Sequence, residues 1–238
     1  MQSSTSPTGF LKLLLSIIAV LFVGNAFSIF AKHYLGYDVM LGLVPLFSFN
    51  AEANIPTLFS SLMMLVSSAL TLRIWWEYLH TDGPHVPWLG LTIVFVFLAV
   101  DEFASLHERL TGIVRGTLDT SGLLFYAWVI PYGLAVGIFA LAYARFLYRL
   151  PRHIMWLFIA SGSIFISGAI GMELLGGRHE DLYGNGTLMY SMLFTLEEVL
   201  EMVGIALYIY ALQRFIVYRF GSMIIELKSN STAASISK

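Results

Sequence analysis

Seven of the fifteen acidic residues in this 238-residue chain lie inside, or at the edge of, long apolar stretches. They are Asp101, Glu102, Glu108, Glu173, Glu197, Glu198 and Glu201. A charged side chain at the centre of a bilayer costs about 2.5–3.5 kcal/mol on insertion scales, so ionisable residues within a membrane span indicate a functional site. Within these stretches only His107 and Arg109 can carry a positive charge. We therefore expect protons or metal ions to balance the carboxylates.

The first acidic segment is predicted to present one face of a helix. Asp101 and Glu108 are seven residues apart, which places them within about 20° of each other on a continuous helix. Glu102 is expected to point away from that face and to share its side with Arg109. We therefore predict that Asp101 and Glu108 belong to the site and that Glu102 does not.

The second acidic segment is more compact. Glu197, Glu198 and Glu201 fit within an arc of about 100°, and Gly204 on the same face would let another helix approach closely. With a rise of about 1.5 Å per residue, this group and Asp101 both lie about 20–25 Å above the cytoplasmic boundary. The two acidic faces are therefore predicted to converge in the outer part of the membrane.

Carboxylates with one imidazole suit a divalent ion, and we expect one or two ions of Fe, Mn or Zn. The absence of cysteine excludes thiolate ligands and disulfides. The predicted metal ligands are Asp101, Glu108, Glu197, Glu201 and Glu173. The predicted catalytic groups are Glu198, which would move protons, and His107, which is also a candidate ligand. The chain departs from the di-iron bundle pattern, because His107 has no glutamate three residues before it.

The composition excludes a water-soluble globule. Hydrophobic residues make up 58% of the chain and charged residues 12%, against about 25% charged in typical soluble domains. A formal charge of −2, without any basic block, excludes nucleic acid as the expected partner. Membrane lipids are the expected surroundings of this chain.

Six apolar segments are long enough to cross about 30 Å of hydrocarbon. They cover residues 10–31, 55–76, 86–106, 123–147, 154–175 and 188–217. The sequence therefore predicts an all-α fold, a polytopic membrane helical bundle with a single domain at 10–218. The tails, 1–9 and 219–238, are predicted to be wholly or partly disordered. The first segment also has features of a signal peptide, and the apolar stretch 39–49 is too short to span, so it would lie in the interface or re-enter.

The basic residues predict the orientation of the bundle. Nine of the thirteen lysines and arginines fall on the side that holds both termini. The other four are Lys32, Arg109, Arg115 and Arg178. By the positive-inside rule both termini are cytoplasmic, and the expected location is the cytoplasmic membrane of a bacterium.

Three functions are compatible with these patterns. The leading hypothesis is a metal-dependent membrane enzyme, hydrolytic or oxidative, that acts on a lipid, an isoprenoid or another apolar small molecule. The alternative is a proton or cation carrier that uses the same acids. A third hypothesis is a structural subunit of a membrane complex. The carrier requires polar groups through the cytoplasmic half, where the main candidates are Asn25, Ser67, Ser68 and Thr71.

Overall fold

The computed structural model describes residues 6–81 and 83–221, and all of their regular structure is helical, which confirms the all-α prediction for them. The helices are α1 (Pro7–Leu35), α2 (Leu43–Phe47), α3 (Ile55–Leu79), α4 (Val86–Ala104), α5 (Leu106–Leu118), α6 (Val129–Tyr148), α7 (Arg152–Ile166), α8 (Glu173–Tyr183) and α9 (Leu188–Phe220). Short 3-10 turns cover Met40–Gly42 and Gly122–Leu124. A π-helical segment, Ser167–Met172, joins α7 to α8.

Five helical stretches of the described residues are long and apolar enough to cross a membrane. They are Pro7–Leu35, Ile55–Leu79, Val86–Ala104, Val129–Tyr148 and Arg152–Tyr183. The sixth predicted span is part of α9, a helix of 33 residues that is not among the five. Its first half carries three glutamates, which lower its apolar character. The sixth span and the position of the termini therefore remain predictions.

Local side-chain contacts explain where the longest helices begin. The side chains of Ser6, Asn54 and Thr187 accept hydrogen bonds from backbone N–H groups in the first turns of α1, α3 and α9. These bonds satisfy donors that have no partner within the helix. At the other ends of α1 and α9, Gly36 and Gly221 adopt a left-handed conformation that terminates the helix without steric strain.

The centre of the bundle is α9, which packs against α1, α3 and α7. Its Met202, Ile205 and Ile209 are almost fully buried. A Cβ atom on Gly204 would lie only 2.7 Å from the backbone nitrogen of Phe165, so glycine permits the close approach of α7 that the sequence predicts.

Helices α3 and α4 approach closely through small hydroxyl side chains. Ser61 donates to the carbonyl of Ala99 at 3.2 Å, and Ser68 donates to the carbonyl of Thr92 at the same distance. These bonds satisfy polar groups in the interior and hold the pair of helices in a fixed register.

Several predicted boundaries were wrong. The third predicted span, 86–106, ends at Ala104, because Ser105 has a left-handed backbone with φ of 48°. The fourth begins at Val129 and not at residue 123, and the fifth continues through the π-helical segment to Tyr183, so the predicted loop at 176–181 is helical. Residues 39–49 do not span: they form a 3-10 turn and α2, which packs against α1.

The predicted tails lie partly outside the described residues. Of the N-terminal tail, residues 1–5 are not described, and α1 already begins at Pro7. Of the C-terminal tail, the first two residues continue α9, and residues 222–238 are not described. Helix α1, which carries the signal-peptide features, contributes Leu14, Ile18 and Leu21 to the core.

Candidate functional site

An acidic cavity of about 400 Å³ lies between the C-terminal end of α4 and the first half of α9. Nine of the fifteen acids of the chain line it, together with one histidine. The ionisable residues on its wall are Glu52, Asp101, Glu102, His107, Glu108, Glu173, Glu180, Glu197, Glu198 and Glu201. Among the described lining residues there is no lysine or arginine. Acids from the third and sixth predicted segments thus line one cavity, and their predicted convergence on a single site stays a prediction.

A break after α4 brings His107 and Glu108 to the cavity. Because Ser105 adopts a left-handed conformation, α5 starts in a new direction. The prediction that placed Asp101 and Glu108 on one face of a continuous helix therefore does not hold across residue 105. Asp101 stabilises the break by accepting hydrogen bonds from the backbone N–H of His107 at 2.9 Å and from its Nδ1 at 3.3 Å. The hydroxyl of Tyr132 on α6 donates to the same carboxylate at 2.9 Å.

Both carboxylate oxygens of Asp101 therefore accept hydrogen bonds from donors of the protein itself. An imidazole whose Nδ1 is held by a carboxylate leaves Nε2 free for a ligand, the arrangement found behind metal-binding histidines. No described residue forms a hydrogen bond with Nε2 of His107, and its ring packs on Trp128 at 4.8 Å between centroids. Asp101 thus has the contacts of a residue that positions His107.

The π-helical segment places α9 and Glu173 side by side. Gly168 lies against α9 so closely that a Cβ atom would be 2.8 Å from the carbonyl oxygen of Glu197 and 2.9 Å from Cγ of Glu201. Glu173 follows this segment, is buried, and accepts a hydrogen bond from Nε1 of Trp128 at 2.7 Å. π-helical turns of this kind are frequent at functional sites.

Glu197 is the most unusual acid of the cavity. Its residue is only 8% exposed, and its Oε2 atom has no hydrogen-bond partner among the described residues. The carboxyl group of Glu197 shares a hydrogen bond with that of Glu173, and its second oxygen, buried without a donor, requires a proton, an ion or a ligand beside it. Glu102, Glu198 and Glu201 line the same cavity and form no hydrogen bond with a described residue.

A second polar group lies on the cavity wall, around Glu180 of α8. The hydroxyls of Tyr126 and Tyr190 both donate to the Glu180 carboxylate, the latter at 2.9 Å, and they also contact each other. Asn185 donates to the other carboxylate oxygen at 3.3 Å. A Cβ atom on Gly177 would be 2.9 Å from the ring of Tyr126, so this glycine allows α8 to reach the tyrosine.

Three residues around the cavity that lie outside the spans, His107, Glu52 and Tyr126, have raised pKa values. Burial would lower the pKa of His107, but its hydrogen bond with Asp101 and the nearby carboxylates raise it overall. The pKa of Glu52 is also raised: although the residue is exposed as a whole, desolvation of its carboxyl group is the largest influence, and the charge of Glu108 adds to it. Burial and the hydrogen bond with Glu180 raise the pKa of Tyr126.

The carboxylates surround the cavity and do not converge on one point. Within residues 6–81 and 83–221, no group of three or more His, Asp or Glu side chains has the arrangement of a metal site. The predicted metal ligands Asp101, Glu108, Glu197, Glu201 and Glu173 all line the cavity, as do Glu198 and His107, and their individual roles stay predictions.

The prediction that Glu102 points away from the site was wrong, because the side chain lines the cavity. Sequence reasoning also missed Glu52, Glu180 and the aromatic residues Tyr126, Trp128 and Tyr190. Glu180 stood in a predicted loop beside Glu173, and that proximity was the available signal. His179, which directly precedes Glu180 in the chain, contacts Thr187 at 2.6 Å and is not among the residues that line the cavity.

The four polar residues predicted as a relay are all bonded within the protein. Ser67 and Thr71 donate to carbonyls one turn earlier in α3, and Ser68 donates to α4. Asn25 is engaged at the cavity end, between Thr195 and the backbone N–H of Phe49. The candidate relay therefore consists of hydroxyls that are already bonded to the backbone.

One family model, described as a domain of unknown function (DUF8692), matches residues 13–215. No curated protein matches the chain, and no solved structure does. The matched range contains every residue that lines the cavity.

Proposed function

The chain belongs to the DUF8692 family, whose match includes the whole acidic cavity, and we propose that this cavity binds a divalent cation. We propose further that the protein is a metal-dependent membrane enzyme. Its substrate would be a lipid or another apolar molecule that reaches the cavity from the membrane. The distribution of basic residues favours the cytoplasmic membrane of a bacterium, with the cavity toward the outer face.

The observation that carries this proposal is the charge of the cavity wall. Nine carboxyl groups face one imidazole, and no described lysine or arginine compensates them. Like charges in a poorly solvated space raise the free energy of the folded state unless protons or cations neutralise them. Oxygen donors with one imidazole are the ligands that Fe, Mn and Zn accept.

The contacts of each residue suggest which side chains would bind the ion and which would transfer the proton. Glu198, Glu201 and Glu102 have no donors from the described protein and are available as ligands, with His107 through its free Nε2. Glu197 has one free buried oxygen. With a divalent ion held by these residues, the site would be able to polarise a substrate oxygen and to lower the pKa of water. The protein would supply an oriented imidazole and a carboxylate that accepts or returns the proton.

The proton or cation carrier is the second candidate. It is favoured by the lack, in the described part of the chain, of three side chains arranged as a metal site, because protons need no such arrangement. It is disfavoured by the other half of the bundle, where the hydroxyls of Ser67 and Thr71 are bonded to carbonyls.

Metal analysis of the detergent-purified chain tests the proposal. We expect one or two ions of Fe, Mn or Zn per chain and a melting temperature that falls when a chelator is added. The substitution Glu201→Gln should lower both the metal content and the melting temperature, because a ligand charge is lost. Asp119→Asn is the matched control: it removes an exposed acid in the turn after α5, where asparagine tolerates the left-handed backbone.

The carrier hypothesis predicts the opposite sign for the same substitution. If no metal is bound, the acids must be largely protonated, and a neutral glutamine at residue 201 would cost little or would stabilise the fold. A metal-free wild type that is indifferent to chelation, together with a Glu201→Gln protein at least as stable, would refute the metal-dependent enzyme.

A further inference from the structure

We infer that the ligand of this cavity is an amphiphile with a cationic amine or ammonium head and a single hydrocarbon chain, whose head occupies the acidic part and whose chain leaves between α6 and α7. This inference rests on the proposed function, because it names the substrate class of the same site. It is carried by the charge of the wall, by the apolar opening on one side, and by the unpartnered oxygen of Glu197.

The charge of the head follows from the lining residues. Two divalent ions and a protonated His107 would supply five positive charges (2 + 2 + 1) against nine carboxyl groups, so four of these groups are left to hold either protons or a further cation. A phosphate or carboxylate head would meet repulsion there, whereas an amine would be attracted. The rings of Tyr126, Trp128 and Tyr132 also line the cavity, and aromatic faces bind organic cations.

The path of the chain follows from the apolar side of the same cavity. Val136 of α6 lines it together with Phe165, Ile166 and Ala169 of α7 and the π-helical segment. Ile166 is 37% exposed although it lines the cavity, and we therefore place the opening of this wall beside it. Both walls of this opening belong to stretches that are long and apolar enough to cross a membrane, so the opening faces hydrocarbon.

The packing of α6 fits such an entrance. This helix makes few close backbone contacts with its neighbours and is held mainly through side chains at its two ends. Tyr132 reaches Asp101 at one end, and Tyr143 reaches the carbonyl of Pro87 at the other, at 3.0 Å. Between them α6 exposes large apolar side chains such as Leu134 and Ile138. A single hydrocarbon chain can therefore pass beside Val136 without breaking a hydrogen bond.

Binding of three probes to the purified chain separates head from chain. Dodecylammonium has both features, dodecanoate has the chain with an anionic head, and butylammonium has the head with a short chain. Calorimetric titrations in one detergent should show dodecylammonium binding at least about tenfold more tightly than either partial probe. Equal affinity for dodecylammonium and dodecanoate would overturn the cationic head, and equal affinity for the two amines would overturn the chain path.

Substitutions on the apolar wall test the path directly. Ala169→Leu fills the opening and should lower the affinity for dodecylammonium about tenfold, while the affinity for butylammonium stays unchanged. Val136→Phe should do the same from the opposite wall. Ala160→Leu is the matched control, an exposed alanine on α7 that does not line the cavity. Unchanged dodecylammonium binding in both wall variants would refute the path.

Metal content measured on the same samples keeps this inference separable from the proposed function. A metal-free protein that still selects dodecylammonium would refute the metal-dependent enzyme and leave the amphiphile site standing. A metal-loaded protein that binds the three probes equally would refute the amphiphile site and leave the metal-dependent enzyme standing.

Discussion

Gly168 is the residue at which the smallest change should disturb the acidic cavity. In the substitution Gly168→Ala, the new Cβ would lie 2.8 Å from the carbonyl oxygen of Glu197, 2.9 Å from Cγ and 3.1 Å from the backbone nitrogen of Glu201. Ordinary contacts begin at 3.4 Å, so the π-helical segment and α9 must separate by about 0.6 Å (3.4 − 2.8). Two of the three close atoms belong to the backbone and cannot move by rotation of a side chain.

The magnitude follows from two opposing effects. Overpacking of this kind costs about 1–3 kcal/mol, whereas replacing glycine by alanine within a helix contributes about 0.5–1 kcal/mol of stability. Because two of the three close contacts are with backbone atoms, the cost lies in the upper part of its range, about 2–3 kcal/mol, and subtracting about 1 kcal/mol for alanine leaves a net loss of about 1–2 kcal/mol. For a chain of this size, a loss of 1 kcal/mol lowers the melting temperature by about 2–4 °C, so a decrease of roughly 2–8 °C is expected.

Thermal unfolding in detergent checks this prediction, and Gly171→Ala provides the control within the same π-helical segment. A Cβ on Gly171 would meet no atom within 4 Å, so its alanine variant should be as stable as wild type or slightly more so. Cation binding should weaken only in Gly168→Ala, because only there are Glu197 and Glu201 displaced. If Gly168→Ala melts at or above the wild-type temperature, the close packing of α9 against the π-helical segment is refuted.

Three further outcomes can be measured on the same protein. Asp101→Asn should destabilise the fold by about 1.5–3 kcal/mol, because hydrogen bonds to a charged carboxylate are lost, and should lower the pKa of His107 in an NMR titration; an unchanged pKa would contradict the pairing. The raised pKa of His107 gives a stabilisation that is complete below about pH 6.5 and lost as pH rises through the folded-state pKa; unfolding curves of His107→Gln should lack this pH dependence. A cysteine in place of Gly116, an exposed position in α5, should react with an impermeant thiol reagent on intact cells, and reaction only after lysis would reverse the predicted orientation.

Composition and hydropathy predicted long apolar helices, and five such stretches are present in the described residues, because a membrane imposes a simple requirement on sequence. Backbone groups in hydrocarbon must be paired within the segment itself, so long apolar stretches become helices whatever their neighbours are. The acids stood out for a related reason: a carboxylate within such a stretch is expensive and needs a compensating partner. Asp101, Glu173 and Glu197 could thus be selected before any contact between helices was known.

The membership of the site could not be derived in this way, because helical periodicity holds only while the helix continues. Ser105 ends α4, so Asp101 and Glu108 line the same cavity for a reason other than their spacing on one continuous helix. The same projection excluded Glu102, although Glu102 lines the cavity. Glu52 joins the wall from a segment distant in the chain, and Glu180 joins it from a stretch that was predicted to be a loop.

The role of each acid depends in the same way on its neighbours in space. Asp101 and Glu197 are both buried acids within apolar stretches, and the sequence gives no reason to separate them. In the folded chain, Asp101 accepts hydrogen bonds from His107 and Tyr132, whereas an oxygen of Glu197 has no described donor. The sequence alone therefore showed which carboxylates needed compensation. Only the packing of α4, α6 and α9 distinguished the acid whose two oxygens accept hydrogen bonds from the one that has an unpartnered oxygen, because donors supplied by other helices cannot be read from local spacing.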